Sequence, residues 1–149
     1  MIELDFATLG DYVGEEFAVS PWIDITQARI DAFAEATDDR QWIHVDPAKA
    51  AVQSPFKATI AHGFLTLSLV SILLRTAMTF TAKMALNYGV NRVRFVTAVP
   101  VGSRVRGRFT PGTVEPVEGG MQVTWSITIE REGQDKPCCV VEWIVRYYL

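Results

Sequence analysis

The chain lacks both an excess of positive charge and a long hydrophobic run. Its 14 Lys and Arg residues stand against 17 Asp and Glu residues, giving a net charge of −3 and a pI near 5.4. A surface without excess basic charge does not suit nucleic acid or an anionic membrane. The longest nearly apolar run, residues 64–74, is too short to cross a bilayer, and the N-terminal segment carries acids where a signal peptide needs basic residues. We therefore expect a cytoplasmic protein that binds neither nucleic acid nor membrane.

Cysteine and histidine are also scarce. The two cysteines, Cys138 and Cys139, are adjacent, so on a strand they point to opposite faces and make poor disulfide partners. They lack the spacing of a zinc site, and we expect both to be reduced thiols. The two histidines are His44 and His62, so any chemistry that needs imidazole must use one of them. The chain also lacks a glycine-rich phosphate loop and the Gly-x-Ser-x-Gly motif of serine hydrolases.

The length and composition fit one globular domain, residues 1–149. With 149 residues, 49% of them hydrophobic, the chain can build one core, and a second independent core is not expected. Apolar residues at helical spacing predict a helix over residues 27–36, with Thr26 as its N-cap. The pair Asp46-Pro47 is typical of a helix start and predicts a short second helix over residues 47–52.

A long apolar segment and four strand-like segments follow. From residue 63 to residue 78 nearly every position is apolar or small, and the leucine and methionine content favours a helix that other structure must surround. Later segments rich in β-branched and aromatic residues are separated by Pro and Gly turns, and they span residues 86–96, 102–114, 121–131 and 138–148. We expect an α+β fold in which an antiparallel sheet wraps around the central helix.

An acidic loop between the first two predicted helices carries Asp39 and His44. A carboxylate and an imidazole brought together can hold one water, and one group takes its proton while the other supplies a proton. Adding or removing water requires this pair of transfers. The alternative is that Asp39 only caps a turn and that His44 is an ordinary loop histidine, and the spacing leaves both interpretations open.

Gly63 begins the predicted central helix, so its N–H lies at the positive end of the helix without an acceptor inside it. Because glycine has no side chain, a thioester oxygen could approach this N–H and be stabilised as it gains enolate charge. The alternative is that Gly63 only permits close packing. The neighbouring His62 could orient this turn by hydrogen bonding. A metal site formed by His44, His62 and the aspartates matches no known ligand spacing, and we expect none.

Four segments together resemble one enzyme family. They are TDDRQWIHVDP, IAHGFLTLSLVS, YGVNRVRF and VPVGSRVRG, and with the chain between them they cover roughly residues 25–105. They resemble the MaoC-like dehydratases, which include (R)-specific enoyl-CoA hydratases, and are most similar to the nodulation-protein-N-like branch. The resemblance implies the hot-dog fold, a homodimer, and an acyl-CoA or acyl-carrier-protein thioester as substrate. It also implies that no metal or redox cofactor takes part.

The family motif implies roles for individual residues. It reads Ser/Thr-Gly-Asp-x-Asn-Pro-x-His-x-Asp, and Thr37, Asp39, His44 and Asp46 match it in register. The resemblance thereby assigns the catalytic dyad to Asp39 and His44 and the oxyanion N–H to Gly63.

Other positions are expected to contact the substrate. Ser71 matches a serine that lines the site in the family, and we add Gln41 and His62 to the candidate substrate-binding residues. Three positions depart from the motif: Asp38 replaces the glycine, Gln41 the asparagine and Trp42 the proline. Since both members of the dyad are kept, these departures bear on substrate preference rather than on reaction type.

The leading interpretation is an enzyme that reversibly hydrates a trans-2-enoyl thioester to the (R)-3-hydroxyacyl thioester, with syn geometry. Asp39 and His44 would hold the water. We favour Asp39 as its base and His44 as the group that protonates Cα, although the sequence leaves this division open. Two alternatives remain: hydrolysis of a thioester on the same fold, and a non-catalytic subunit that binds acyl thioesters or assists assembly.

Asn91 is the last candidate. Strand alternation places it on the same face as Val93 and Phe95. An amide on an apolar face is costly unless it is hydrogen-bonded, either to nearby backbone or inside the catalytic pocket. We therefore include Asn91 among the candidate substrate-binding residues.

Overall fold

The chain alternates short elements in its first half with long strands in its second. The computed structural model describes residues 2–149, and within them the chain forms eight strands and five α-helices. The helices are α1 (Gln27–Thr37), α2 (Trp42–Val45), α3 (Pro47–Gln53), α4 (Gly63–Ser68) and α5 (Val70–Ala77). The strands are β1 (Ile2–Leu4), β2 (Ala18–Val19), β3 (Ile23–Asp24), β4 (Met78–Phe80), β5 (Met84–Arg94), β6 (Arg104–Val117), β7 (Gly120–Arg131) and β8 (Cys139–Tyr148).

The main sheet is antiparallel, with the strand order β2-β6-β7-β8-β5, and β3 pairs with β6 beside β2. Its inner face packs on α5, where Leu73 is fully buried. Gly107 of β6 permits this packing, because a Cβ there would lie 2.9 Å from the Phe109 ring and 3.3 Å from Cβ of Leu73. The predicted α+β arrangement, an antiparallel sheet around a central helix, is confirmed.

The central helix differs from the prediction of one helix over residues 63–78. It is interrupted at Leu69, and it ends at Ala77 because Met78 already pairs with β1. The Ser68 hydroxyl donates to the carbonyl of Leu65 at 2.8 Å, and the Leu69 N–H is shared between the carbonyls of Leu65 and Thr66. A hydroxyl that competes for a helix carbonyl disturbs the regular bonding pattern, which explains the break between α4 and α5.

The predicted helix starts are accurate because local side-chain bonds define them. The Thr26 hydroxyl accepts from the N–H of Arg29 at 3.2 Å, and Asp46 accepts from the N–H of Lys49 at 2.9 Å. Both helices end one residue later than predicted. The helix α2 was not predicted, since this segment was expected to be a loop. Strands β6, β7 and β8 lie within three residues of their predicted bounds, and β5 begins and ends two residues earlier.

The two cysteines are free and buried in the core. Burial raises the pKa of Cys138 to about 11 and that of Cys139 to about 12, so both thiols stay protonated at neutral pH. Among the helices of residues 2–149, none combines the length and the apolar composition that a membrane crossing requires.

Candidate active site

His44 lies on α2 and is buried, and its ring is hydrogen-bonded to the segment that precedes the central helix. Its Nδ1 is 2.6 Å from the carbonyl oxygen of Ile60. Because a carbonyl can only accept, Nδ1 carries the hydrogen, and in the neutral ring Nε2 carries the lone pair. The pKa of His44 is lowered from its ordinary value, chiefly because burial disfavours the imidazolium. His44 is therefore a neutral ring that presents an acceptor.

Asp39 follows α1, and its side chain is exposed. A carboxylate oxygen of Asp39 and one ring nitrogen from each of His44 and His62 lie within 4.8 Å of one another. Two hydrogen bonds of about 2.8 Å that meet at a tetrahedral water span roughly 4.6 Å. A separation of up to 4.8 Å leaves room for one water between the carboxylate and an imidazole. The predicted pairing of Asp39 with His44 is thus present as a spatial arrangement.

His62 is the third member of this cluster. Its ring stacks on the His44 ring, with centroids 3.7 Å apart and planes 20° apart. The Phe33 ring also packs against the His62 ring, tilted by 54° with centroids 4.9 Å apart. Its Nε2 is 2.9 Å from the backbone carbonyl oxygen of Asp39, so Nε2 carries the hydrogen and donates. Nδ1 of His62 is buried and has no hydrogen-bond partner within residues 2–149. His62 therefore contacts both members of the dyad.

The cluster has the residue types of a metal site, but its geometry does not favour one. An imidazole lone pair lies in the plane of its ring, and two rings stacked nearly parallel cannot both aim a lone pair at one ion. In addition, Nδ1 of His44 and Nε2 of His62 are engaged with carbonyl oxygens. The expectation that the protein uses no metal stays a prediction.

Gly63 directly follows His62 and begins α4. A Cβ at this position would lie 3.0–3.1 Å from the ring of Phe95, so a side chain here would have to move that ring. A cavity of about 290 Å³ borders Gly63, Thr66, Phe95 and Cys138. The first N–H groups of a helix have no acceptor within it, so the N–H of Gly63 is available to a ligand that reaches this point.

Residues 8–131 match the MaoC like domain. The chain belongs to the MaoC-like dehydratase family. It is 50% identical over 143 residues to 3-hydroxyacyl-thioester dehydratase Z of Mycobacterium tuberculosis, which covers 95% of this chain and 94% of that protein. It is 46% identical over 147 residues to nodulation protein N of Rhizobium leguminosarum bv. viciae, covering 97% and 91%. The family resemblance inferred from the motifs is confirmed.

Solved structures agree with this assignment. The chain matches the (R)-hydratase from A. caviae involved in PHA biosynthesis with a TM-score of 0.71 and 26% identity, covering 91% of this chain and 96% of that one. The hot-dog fold predicted from the resemblance is therefore confirmed, and so is the assignment to an enzyme class, the dehydratases, which are hydro-lyases.

Within the MaoC-like domain, Ser71 lies on α5, beyond the interruption of the central helix at Leu69. It is eight residues beyond Gly63, about 12 Å along the helix at 1.5 Å per residue. It lines a groove between the central helix and strands β5 and β8, where Asn87 and Trp143 also lie. One part of this groove encloses about 430 Å³ and the adjoining part about 300 Å³.

The prediction that simple alternation places Asn91 on an inward face is wrong. Two register shifts interrupt β5, one between Asn87 and Gly89 and one between Val90 and Arg92, so Asn91 is the extra residue of a bulge. It is exposed, and its side chain makes no hydrogen bond within residues 2–149. The inward positions of β5 are opposite the buried residues of β8, and they are Ala85, Asn87, Val90 and Val93. The amide in the groove is therefore that of Asn87, which lies four residues from Asn91 and which regular alternation also places on the inward face.

Two further residues of the dehydratase contribute through hydrogen bonds. Gln41 is exposed, and its backbone N–H points to the Asp39 carboxylate at 3.4 Å, a contact that shapes the loop. The expected contact of Gln41 with substrate stays a prediction. The side chain of Gln27 on α1 donates to the carbonyl of His44 at 2.8 Å and accepts from the hydroxyl of Thr59. Sequence reasoning missed Gln27 because its partners are 17 and 32 residues away.

The lowered pKa of His44 has a measurable effect on stability. We expect the His44 ring, observed by NMR in a protein with two histidines, to titrate below the ordinary value of 6.5. Between the pKa of His44 in the folded state and about pH 6.5, the unfolded state binds more protons than the folded state. The contribution of neutral His44 to the free energy of unfolding is therefore present above about pH 6.5 and is lost as the pH falls toward the pKa of the folded state. Between pH 7 and pH 5, wild type should lose more unfolding free energy than His44→Gln. A His44 titration at or above 6.5 would contradict this.

Proposed function

We propose that this chain reversibly hydrates a trans-2-enoyl thioester, an acyl-CoA or an acyl-carrier-protein thioester, to the (R)-3-hydroxyacyl thioester. The observation that carries the proposal is a buried, neutral imidazole, His44, with a carboxylate oxygen of Asp39 within 4.8 Å of a ring nitrogen, close enough for both to share one water. The names of two similar proteins, a 3-hydroxyacyl-thioester dehydratase and an (R)-hydratase, support this substrate class. The chemistry needs no redox cofactor or metal, and we place the protein in the cytoplasm.

The tautomer of His44 leads us to revise the division of labour between the two catalytic residues. With a lone pair on Nε2, neutral His44 can take a proton from the bound water while the water oxygen forms its bond to Cβ. The imidazolium then returns that proton to Cα, where the electron pair of the enolate forms the new C–H bond. The Asp39 carboxylate accepts the second hydrogen of the water and orients it. Because one group takes and returns the proton, both additions occur on the same face.

The N–H of Gly63 would bind the thioester oxygen during this reaction. Charge develops on that oxygen in the enolate, and a preorganised N–H at a helix start stabilises it. His62 lies between the dyad and Gly63 in the chain, so the base and the proposed oxyanion site are adjacent. The acyl chain would extend along the groove that Ser71 and Asn87 line.

Substitution of the dyad tests this function. Asp39→Asn and His44→Ala should each lower kcat for hydration of crotonyl-CoA by about 10²–10⁴, the usual contribution of a positioned acid or base. The double variant should lose little more, because residues that act as a unit are not additive. The measurement is the loss of ultraviolet absorbance as the conjugated double bond is consumed.

The same assay separates the alternatives. Release of free CoA thiol without loss of the double bond would indicate a thioester hydrolase. Tight binding of the thioester without turnover, unaffected by Asp39→Asn, would indicate a non-catalytic binding subunit. Near-wild-type turnover in either single variant would contradict the assignment of Asp39 and His44 as catalytic residues. Chiral analysis of the product checks the (R) configuration.

A second test concerns Gly63. Gly63→Val should lower kcat by about 10²–10³, the cost of losing one oxyanion donor. It also forces the Phe95 ring to move, which lowers stability. The double variant Gly63→Val/Phe95→Ala should recover Tm and stay inactive, with Phe95→Ala alone as the control. Recovery of turnover in the double variant would show that Gly63 serves packing and not the oxyanion.

We further propose that two copies of the chain pair through β5. This strand lies at the end of the main sheet, and within residues 2–149 no strand covers its outer edge. It carries apolar side chains that are about half exposed, and nearby loops and helices add others. These side chains are Phe64, Ile72, Met84, Leu86, Tyr88, Val90, Phe95 and Val96. An exposed apolar edge is a template for pairing, and a second copy would also cover the open groove.

Introducing charged side chains on β5 tests whether two copies pair through this strand. Near a two-fold axis each residue approaches its own copy, so Leu86→Lys/Val90→Lys should place like charges close together and give a monomer. Analytical ultracentrifugation at matched concentrations should show wild type as a dimer. Val13→Lys, an exposed apolar position away from β5, should remain a dimer. A monomeric wild type, or a dimeric double variant, would contradict the proposal.

A further inference from the structure

One buried side chain, His62, contacts both members of the dyad by different means. Its Nε2–H donates to the backbone carbonyl of Asp39 at 2.9 Å, which fixes the chain that carries the carboxylate. Its ring face lies against the His44 ring at 3.7 Å. The relative position of Asp39 and His44 is therefore set through this one residue as well as through the loop between them.

Packing alone does not explain an imidazole at this position. His62 is 3% exposed, and its Nδ1 has no partner within the described chain. A buried polar atom without a hydrogen bond costs about 1–3 kcal/mol. A phenyl ring would fill the same space between Phe33 and His44 without that cost. The compensating interaction of the imidazole is the bond from Nε2 to Asp39.

We propose that His62 is the positioning residue of the dyad, which holds the Asp39 backbone with its Nε2–H and supports the face of the His44 ring. This inference rests on the proposed function. The earlier expectation assigned His62 to substrate binding; here it acts on the catalytic groups and not on the substrate. Because a displacement of about 1 Å in a catalytic group can cost about 10²-fold in rate, such a tether affects kcat.

Two variants separate the bond from the ring. His62→Phe keeps a flat ring against His44 and removes the donor, whereas His62→Gln removes the ring and keeps an amide N–H that reaches about as far as Nε2. We expect His62→Phe to lower kcat for crotonyl-CoA hydration by about 10- to 100-fold with KM within threefold. We expect His62→Gln to keep most of the wild-type kcat, because the hydrogen bond to Asp39 contributes more to the positioning than the stacked ring does. Should His62→Phe fail to fold, His62→Asn takes its place, since its amide is too short to reach Asp39.

The control for general destabilisation is Ser20→Ala. Ser20 is buried beside β6, where its hydroxyl accepts from the N–H of Gly107, and it forms no hydrogen bond with either histidine. Its loss should lower Tm without changing kcat per folded molecule. If His62→Phe behaves in the same way, with normal kcat after correction for the folded fraction, or if His62→Gln is as slow as His62→Phe, the positioning role is wrong.

NMR gives a readout that does not depend on turnover. In His62→Gln, His44 is the sole remaining histidine, and its ring signals are unambiguous. Besides burial, the neighbouring His62 lowers the pKa of His44, whereas the Asp39 carboxylate raises it. Removing the neighbouring imidazole should raise the pKa of His44, whereas Ser20→Ala should leave it unchanged. An unchanged pKa in His62→Gln would contradict the contact. If wild type fails to hydrate crotonyl-CoA, the proposed function falls, and this titration still tests His62.

Discussion

The site depends on the extended segment just before the central helix, which is bonded on both sides. The N–H of Ile60 donates to the carbonyl of Ile43, and the Ile60 carbonyl accepts from Nδ1 of His44. On the other side, the N–H of Ala61 donates to the carbonyl of Val99. Each bond contributes about 1 kcal/mol net, but a buried group left without its partner costs more. The loop that carries Asp39 and His44 is thereby tied to the segment that connects β5 with β6 and to the start of the central helix.

The departures from the family motif fit this arrangement. Asp38 stands in the position of the motif glycine and has φ 60°, the left-handed conformation that aspartate tolerates better than most residues. Gln41 precedes α2, and its carbonyl accepts from the N–H of His44. Trp42 begins α2, which the motif proline would also allow. The three substitutions therefore keep a backbone that holds His44, with the side chains of Asp38 and Gln41 exposed and that of Trp42 half-buried.

The sheet and the groove show where patterns in the sequence were sufficient and where they failed. Strand β7 alternates cleanly, since Val123, Trp125 and Ile127 are buried in turn, and its bounds were predicted within one residue. In β5 the two bulges change the inward spacing from two residues to three, which takes Asn91 off the inward face, while Asn87 is inward by either spacing. A bulge forms because the partner strand and the curvature of the sheet require it, and neither is visible in the residues of β5 itself.

The sequence by itself determined the elements whose boundaries depend on neighbouring residues. Thr26 and Asp46 cap helices through bonds to residues three positions away, and the motif placed Asp39 and His44 on one loop. Only the tertiary structure decided that His62 stacks on His44 and that the imidazole of His44 presents Nε2. Those features depend on groups that are 16 or more residues away along the chain. Such contacts form only once the sheet has closed around the helix and excluded water. Hydrogen bonds are stronger in the low dielectric of the buried interior than in water.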